Sequence, residues 1–342
     1  MRYSANLVHP RLLEWWADDP VDPGRLSLDD PDVRQLVAAI SPESYATDLG
    51  GVMSLNVRLD AVELVLRVHQ PFVSRRRLLA VQEVRRRLIN QGLVVPAPVC
   101  WNNSTVLRCR NRWAEVEEYL PHKRLAPTLD SYAWMFGAMG TLHRVLSQLD
   151  LLVPRPLVAT YAPPGSLRRW LPITEMAVQD NPEAVGIARL LRTLVQQLHA
   201  QWLPATDLPM QLVHGDVRLS NVCQTADGRT VYFDFGFLAW RPRIHELAYA
   251  LAFMILALNG HLAPESFDWG CTQRLIEEYE ATANAGLVQA ERRALASYTA
   301  SIPLYAAALD GFTEDPVEKL RARQPFLRLS AWLLAHPTAL LG

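Results

Sequence analysis

The feature that most narrows the possible folds is a change of hydrophobic period near residue 120. Before it, short runs alternate apolar and polar residues, the period of half-buried strands. After it, apolar residues recur every three or four positions for most of the remaining chain. Ser44–Leu49 leads to Gly50-Gly51. Val52–Leu59 and Val62–Val68 both alternate around an Asp60-Ala61 turn, which reads as an antiparallel hairpin or meander. Arg75–Gln91 breaks this block with helical spacing: Leu78, Val81, Val84 and Leu88 share a face, and Gly92 supplies the stop. Strand patterns return at Val99–Trp101, Thr105–Arg108 and Trp113–Leu120. Beyond Pro121, long helices are expected at Leu129–Leu149, at Glu183–Trp202 and from Ile244 onward, with a strand-rich island at Met210–Phe237. Residues 1–43 are polar and rich in Pro and Asp, with one helical pattern near Asp32–Ile40, and read as an extension packed on the outside.

With 342 residues, half of them apolar and a fifth charged, the chain can bury a full core and is neither disordered nor low-complexity. Its formal charge of −1 lacks the basic surplus that bulk capture of nucleic acid or an anionic membrane needs, so neither partner is expected. Cys100, Cys109, Cys223 and Cys271 lie far apart with no C-x-x-C pair. That pattern is neither a disulfide framework nor a zinc site, and it suits a reducing, cytoplasmic setting. No signal-like or membrane-spanning run is present, the longest apolar stretch being Leu247–Leu258.

The strand island carries the chemistry. It reads LVHGDVRLSNVCQTADGRTVYFDFG, in which Asp216 and Asn221 frame H-G-D-x-x-x-x-N and Asp234 opens D-F-G after an apolar strand. Asp227-Gly228 between them is a hairpin turn signal. Phosphoryl transfer from ATP asks little covalent chemistry of a protein. It needs divalent metal on the phosphates, an in-line acceptor, and an oxygen to take the acceptor's proton. A loop carboxylate suits the last task, and Asp216 is the candidate base. One amide and one further carboxylate, Asn221 and Asp234, suit magnesium, which takes few protein ligands beside phosphate and water oxygens.

These motifs resemble the aminoglycoside phosphotransferase and choline kinase superfamily, small-molecule relatives of the protein kinases, over most of the chain from about Ser44. The resemblance implies an α+β, protein-kinase-like, two-lobed fold: a nucleotide-binding lobe of antiparallel sheet at 44–120 and a catalytic and substrate-binding helical lobe at 121–342. It implies ATP and Mg2+ as cofactors, with ATP held between the lobes. Asp216 is then the catalytic base, Asn221 and Asp234 hold magnesium, and His214 supports the catalytic loop. Gly50-Gly51 and Val52–Asn56 become the loop over the phosphates. Arg67, in LVLRVHQP, stands where the family carries a phosphate-binding lysine, with Glu83 of the following helix as its expected partner. Arginine keeps the charge but is planar and bulkier, so this is a real departure. Glu117–Pro121 matches the hinge, with Glu118 and Leu120 as nucleotide contacts. Glu246, where the family has Asp before Leu-Ala, is expected to brace the catalytic loop, and the Leu142-His143 pair to lie in the core.

The function expected is ATP- and magnesium-dependent phosphorylation of a small-molecule hydroxyl, on an amino sugar or antibiotic, an amino alcohol or a homoserine-like acceptor, by a monomer or homodimer. Two alternatives stand beside it: a weakened nucleotide-binding pseudokinase, suggested by Arg67, and a protein Ser/Thr kinase of the same fold. Glu277, Glu278, Glu280, Asp310, Glu314 and Asp315 are candidates for an acidic acceptor pocket, although runs of this kind are usually solvated helix faces.

Overall fold

The computed structural model describes residues 24–51, 53–156, 160–161, 163–260 and 262–341. Val52 of the glycine loop and the first 23 residues of the N-terminal extension lie outside them. The chain divides into two compact units. The first runs to Arg124 and takes in Leu149–Val158 and Cys223–Ala239; the second holds the remainder.

The first unit is built on an antiparallel sheet of β1 (Ala46–Asp48), β2 (Leu55–Leu59), β3 (Leu64–Val68), β4 (Pro98–Val99), β5 (Leu107–Cys109) and β6 (Arg112–Glu118), in the order β1-β2-β3-β6-β4 with β5 also on β6. The register sets Val57 opposite Leu66, Leu66 opposite Val116, and Arg67 opposite Glu115. Because side chains alternate across a strand, this register sorts the sheet into two unlike faces. Leu55, Val57, Leu59, Leu66, Val68, Ala114 and Val116 make an apolar face. It is covered by α1 (Pro31–Ile40) through Val33, with Leu26, Leu28, Leu36, Val37 and Ile40 packed around it. Arg67, Glu115 and Glu117 stand on the opposite face, which meets α2 (Arg75–Asn90) through Gln82 and Arg85. Ser74 caps α2 by accepting from the Arg77 amide, and Gly92 follows its end with φ +82°. A small hairpin of β8 (Val222–Gln224) and β9 (Thr230–Tyr232) joins this unit through bridges from Val94 to Val231 and from Lys123 to Gln224.

The second unit is mainly helical: α3 (Leu129–Leu146), α4 (Pro164–Val178), α5 (Pro182–Gln201), α6 (Arg243–Asn259), α7 (Gly270–Ala283), α8 (Gln289–Leu309), α9 (Pro316–Ala322) and α10 (Gln324–Ala335). β7 (Met210–Val213) pairs with β10 (Ala239–Pro242). Helix α3 lies against α7, α6 and α10 lie against α8, and α4 lies against α5. At Gly140 of α3 a Cβ would come within 2.4 Å of the Tyr279 carbonyl oxygen of α7, so glycine is required there. Helix α4 has no counterpart in the sequence reading; Pro172 in its interior interrupts the helical signal. Among the described residues no helix is long and apolar enough to cross a membrane. The four cysteines are free thiols. The architecture is α+β, an antiparallel sheet lobe followed by a mainly helical lobe, as the resemblance implied.

Candidate active site

In the helical unit, the segment between β7 and β8 carries the H-G-D-x-x-x-x-N residues. His214 and Asp216 are buried, and Gly215 sits between them with φ +88°, a conformation that favours glycine. The loop is held from α6. Glu246, fully buried, accepts from the amides of His214 (2.9 Å) and Gly215 (2.5 Å) and from His143 Nε2 (2.7 Å). Burial alone would raise the Glu246 pKa. The His143 hydrogen bond and charge, with the loop amides, outweigh that and hold it at about 2. His143 reaches Tyr279 with its other nitrogen at 2.9 Å, so the Leu-His pair of α3 joins the core to the loop. The neighbouring His245 is pushed down to about 3 by burial and by Arg241, which keeps its ring neutral.

The Asp216 side chain is bonded by three neighbours. Asn221 Nδ2 donates to its backbone oxygen (2.9 Å) and to Oδ2 (2.8 Å). Arg218 also donates to Oδ2 at 2.8 Å, and the Tyr249 hydroxyl donates to Oδ1 at 2.6 Å. With its amide group spent on Asp216, Asn221 keeps its carbonyl oxygen for acceptance; Ser220 Oγ donates to it at 3.4 Å, and an amide oxygen has a second lone pair with which to meet a cation.

In the sheet unit, Asp234 stands at the end of the hairpin in the left-handed region (φ 58°, ψ 64°), a strained position for a non-glycine residue. Its Oδ1 accepts from Arg67 Nη2 at 2.5 Å. Burial works against the Arg67 charge, but Asp234, Glu117 and Glu115 more than restore it and raise its pKa. Arg77, on the first turn of α2, donates to the carbonyls of Pro154, Gly236 (2.6 Å) and Leu238 (3.0 Å) and so anchors the segment after Asp234. Arg67, Arg77 and Asp234 line a cavity of about 320 Å³ with Ser54, His69 and Arg155. Its charged lining is mainly basic, as an anionic ligand requires.

The expected pairing of Arg67 with Glu83 is not formed. Glu83 lies on the outer side of α2 and binds Arg86 and Arg87 of its own helix (3.1 and 2.8 Å), the i+3 and i+4 neighbours that any exposed helical carboxylate meets first. The buried side of α2 presents Arg85 instead, which pairs with both Glu115 and Glu117. Glu115 also binds Gln82 and His69. Burial pushes both carboxylates up. Arg85, His69 and Gln82 reverse that for Glu115, whereas for Glu117 burial and the Glu115 charge outweigh Arg85 and the Arg67 charge, and it stays raised.

Gly50 and Gly51 have φ +83° and +113°. A Cβ on Gly51 would lie 2.8 Å from Asn56 Nδ2, which itself donates to the Gly50 carbonyl. In the segment that the resemblance matched to a hinge, the Glu118 amide donates to Ala97 and the Leu120 carbonyl accepts from His122 Nδ1. Of the acidic residues of the late helices, Glu280 pairs with Arg292, Asp310 pairs with Arg323, Glu277 accepts from Gln273 and Asp315 caps its own helix. Among the described residues no cluster of three or more His, Cys, Asp or Glu could hold a metal by itself.

Sequence reasoning missed Tyr249, Arg218, Arg77 and the Arg85–Glu115–Glu117 cluster. The available signals were Arg85 on the Leu78–Val81–Leu88 face of its helix, two carboxylates alternating with apolar residues in β6, and Tyr249 one turn beyond Glu246.

The phosphotransferase enzyme family matches residues 47–298, and the chain belongs to that family. No curated protein sequence matches it. Among solved structures, a microcompartment-associated aminopropanol kinase is similar at 16% identity, over 91% of this chain and 100% of that one, with a TM-score of 0.67. Choline kinase from Cryptosporidium parvum is similar at 13% identity, over 90% and 98%, with a TM-score of 0.62. An aminoglycoside phosphotransferase from Alicyclobacillus acidocaldarius is similar at 13% identity, over 88% and 96%, with a TM-score of 0.57. At these identities the similarity establishes the fold, that of the protein-kinase-like small-molecule kinases.

Proposed function

We propose that this member of the phosphotransferase enzyme family transfers the γ-phosphoryl group of ATP to a hydroxyl of a small amino-bearing molecule: an amino alcohol, an amino sugar or a homoserine-like acceptor. The observation that carries the reading is the bonding of Asp216. Asn221 and Arg218 fix one carboxylate oxygen, and the other faces a hydroxyl at 2.6 Å, the geometry a base needs toward an alcohol. The acceptor class is supported by the solved structures of like fold, whose names refer to aminopropanol, choline and aminoglycosides.

In this reading Asp216 orients the acceptor hydroxyl and takes its proton as the oxygen attacks the γ-phosphorus and the bond to the β–γ bridging oxygen breaks. Glu246 and His143 keep the loop amides in place, so the base is positioned before substrate arrives. Arg67 meets the nucleotide phosphates with a fork that can bind two oxygens at once. In this reading Asp234 of the sheet unit would offer a carboxylate and Asn221 of the helical unit an amide oxygen, ligand types that magnesium takes beside phosphate and water oxygens, and bound magnesium would offset phosphate charge.

The test is Asp216→Asn in a coupled assay with magnesium-ATP and a panel of amino alcohols, amino sugars and homoserine. Turnover should fall by about two to four orders of magnitude while nucleotide binding, followed by calorimetry, survives. Unchanged turnover would overturn the assignment. A nucleotide-binding protein without turnover is the second reading, favoured by Arg67 in the lysine position. Magnesium-ATP binding with no phosphorylation of any acceptor would select it.

A further inference from the structure

We propose that Tyr249 guards the base, its hydroxyl holding the Asp216 oxygen that an acceptor must use, so that without an acceptor Asp216 is kept from activating water. The inference rests on the reading of Asp216 as the base. Arg218 and Asn221 donate to Oδ2 of Asp216, and Tyr249 donates to Oδ1. Tyr249 is 6% exposed, so its bond to Asp216 is protected from exchange with bulk water. Its ring lies 4.7 Å from Phe253 and 6.3 Å from His245 between centroids, which fixes the direction of the hydroxyl. Glu246 and Tyr249 are three residues apart on α6, one holding the loop amides and the other the loop carboxylate. One helix face therefore sets both the position and the availability of the base. Burial and the adjacent Asp216 charge raise the phenol well above its ordinary pKa, so it remains a donor.

A kinase needs such a device because water is always present and the acceptor is not. In the unwanted reaction, water attacks the γ-phosphorus, the bond to the bridging oxygen breaks, ADP leaves and the water proton passes to Asp216. The products are ADP, phosphate and a proton. An acceptor with enough binding energy of its own displaces the phenol from Oδ1, and a lone water does not.

The experiment measures ADP formation from magnesium-ATP with no acceptor in the natural protein, Tyr249→Phe, Asp216→Asn and the double variant. Tyr249→Phe keeps the ring and removes a hydrogen bond to a charged group, and should raise hydrolysis roughly tenfold. The double variant should fall back to the Asp216→Asn level. Tyr249→Met, which also lacks the donor, should show the same gain if the Phe variant folds poorly. Hydrolysis no faster than in the natural protein, in a variant with a normal melting curve, would overturn the proposal, and so would a gain that survives Asp216→Asn. Failure of the base assignment shows separately, as acceptor phosphorylation that persists in Asp216→Asn alone.

Discussion

Replacing Arg85 with methionine should unbalance the sheet unit more than any change at the expected Arg67–Glu83 pair. The Arg85 side chain is 4% exposed, and those of its partners Glu115 and Glu117 are 4% and 9% exposed. Methionine keeps the aliphatic volume but leaves two buried carboxylates on one sheet face without their shared cation. Removing one partner of a buried pair costs about 3–5 kcal/mol. At roughly 2–4 °C per kcal/mol for 150–250 residues, the melting temperature should fall by about 6–20 °C. The pH dependence carries a sign. In the natural protein Glu115 is held below its ordinary value, so its contribution is present above the unfolded carboxylate range and lost as pH falls through the lowered value. Glu117 is raised, so its contribution is full below that range and declines as pH rises through the raised value. Without Arg85 both carboxylates are pushed up, and the variant should regain stability between pH 8 and pH 5. Thermal unfolding followed by circular dichroism at several pH values measures this. Adding Glu115→Gln and Glu117→Gln to Arg85→Met removes the stranded charges and should restore most of the loss. A single variant melting within about 2 °C of the natural protein at pH 8 would refute the reasoning. So would a triple variant no more stable than the single one.

Two further outcomes follow from the same geometry. Arg67→Ala should weaken ATP binding by about tenfold or more, and Arg67→Lys by less, since lysine keeps the charge but loses the planar fork; equal affinities in calorimetry would remove Arg67 from the nucleotide site. Glu246→Gln turns an NH2 group toward the N–H donors of His214, Gly215 or His143, at a cost of about 1–3 kcal/mol, and should slow turnover as the loop shifts. Because the Glu246 pKa is lowered to about 2, the stability it adds is present above the unfolded range near 4.3 and lost toward pH 2. An acid unfolding curve of Glu246→Gln as steep over that window as the natural one would contradict this account.

The sheet and most long helices were legible because each buries one side, and one-sided burial leaves a period of two or 3.6 in the sequence. The loop motif stood out in the sequence because two carboxylates and an amide at that spacing have few structural uses. Charge partners were harder to read, since an ion pair depends on which face a residue occupies as much as on its type. Glu83 was expected to meet Arg67 from its place in VQEV. Yet Leu78, Val81, Arg85 and Leu88 are spaced by three, four and three, and all are buried. An arginine on the apolar arc of a helix demands buried carboxylates, and Glu115 and Glu117 in β6, opposite in face to Ala114 and Val116, demand a buried cation. The two demands satisfy each other, and they leave Arg67, directly across from Glu115, to form its closest pair with Asp234. Tyr249 was hidden for the opposite reason. In LAYALAFMIL an aromatic residue looks like core, and it is core in every respect except its hydroxyl. Three residues after Glu246 that hydroxyl must find a polar partner, because a buried phenol without one is costly. The partner within reach is the carboxylate of the loop that Glu246 holds in place.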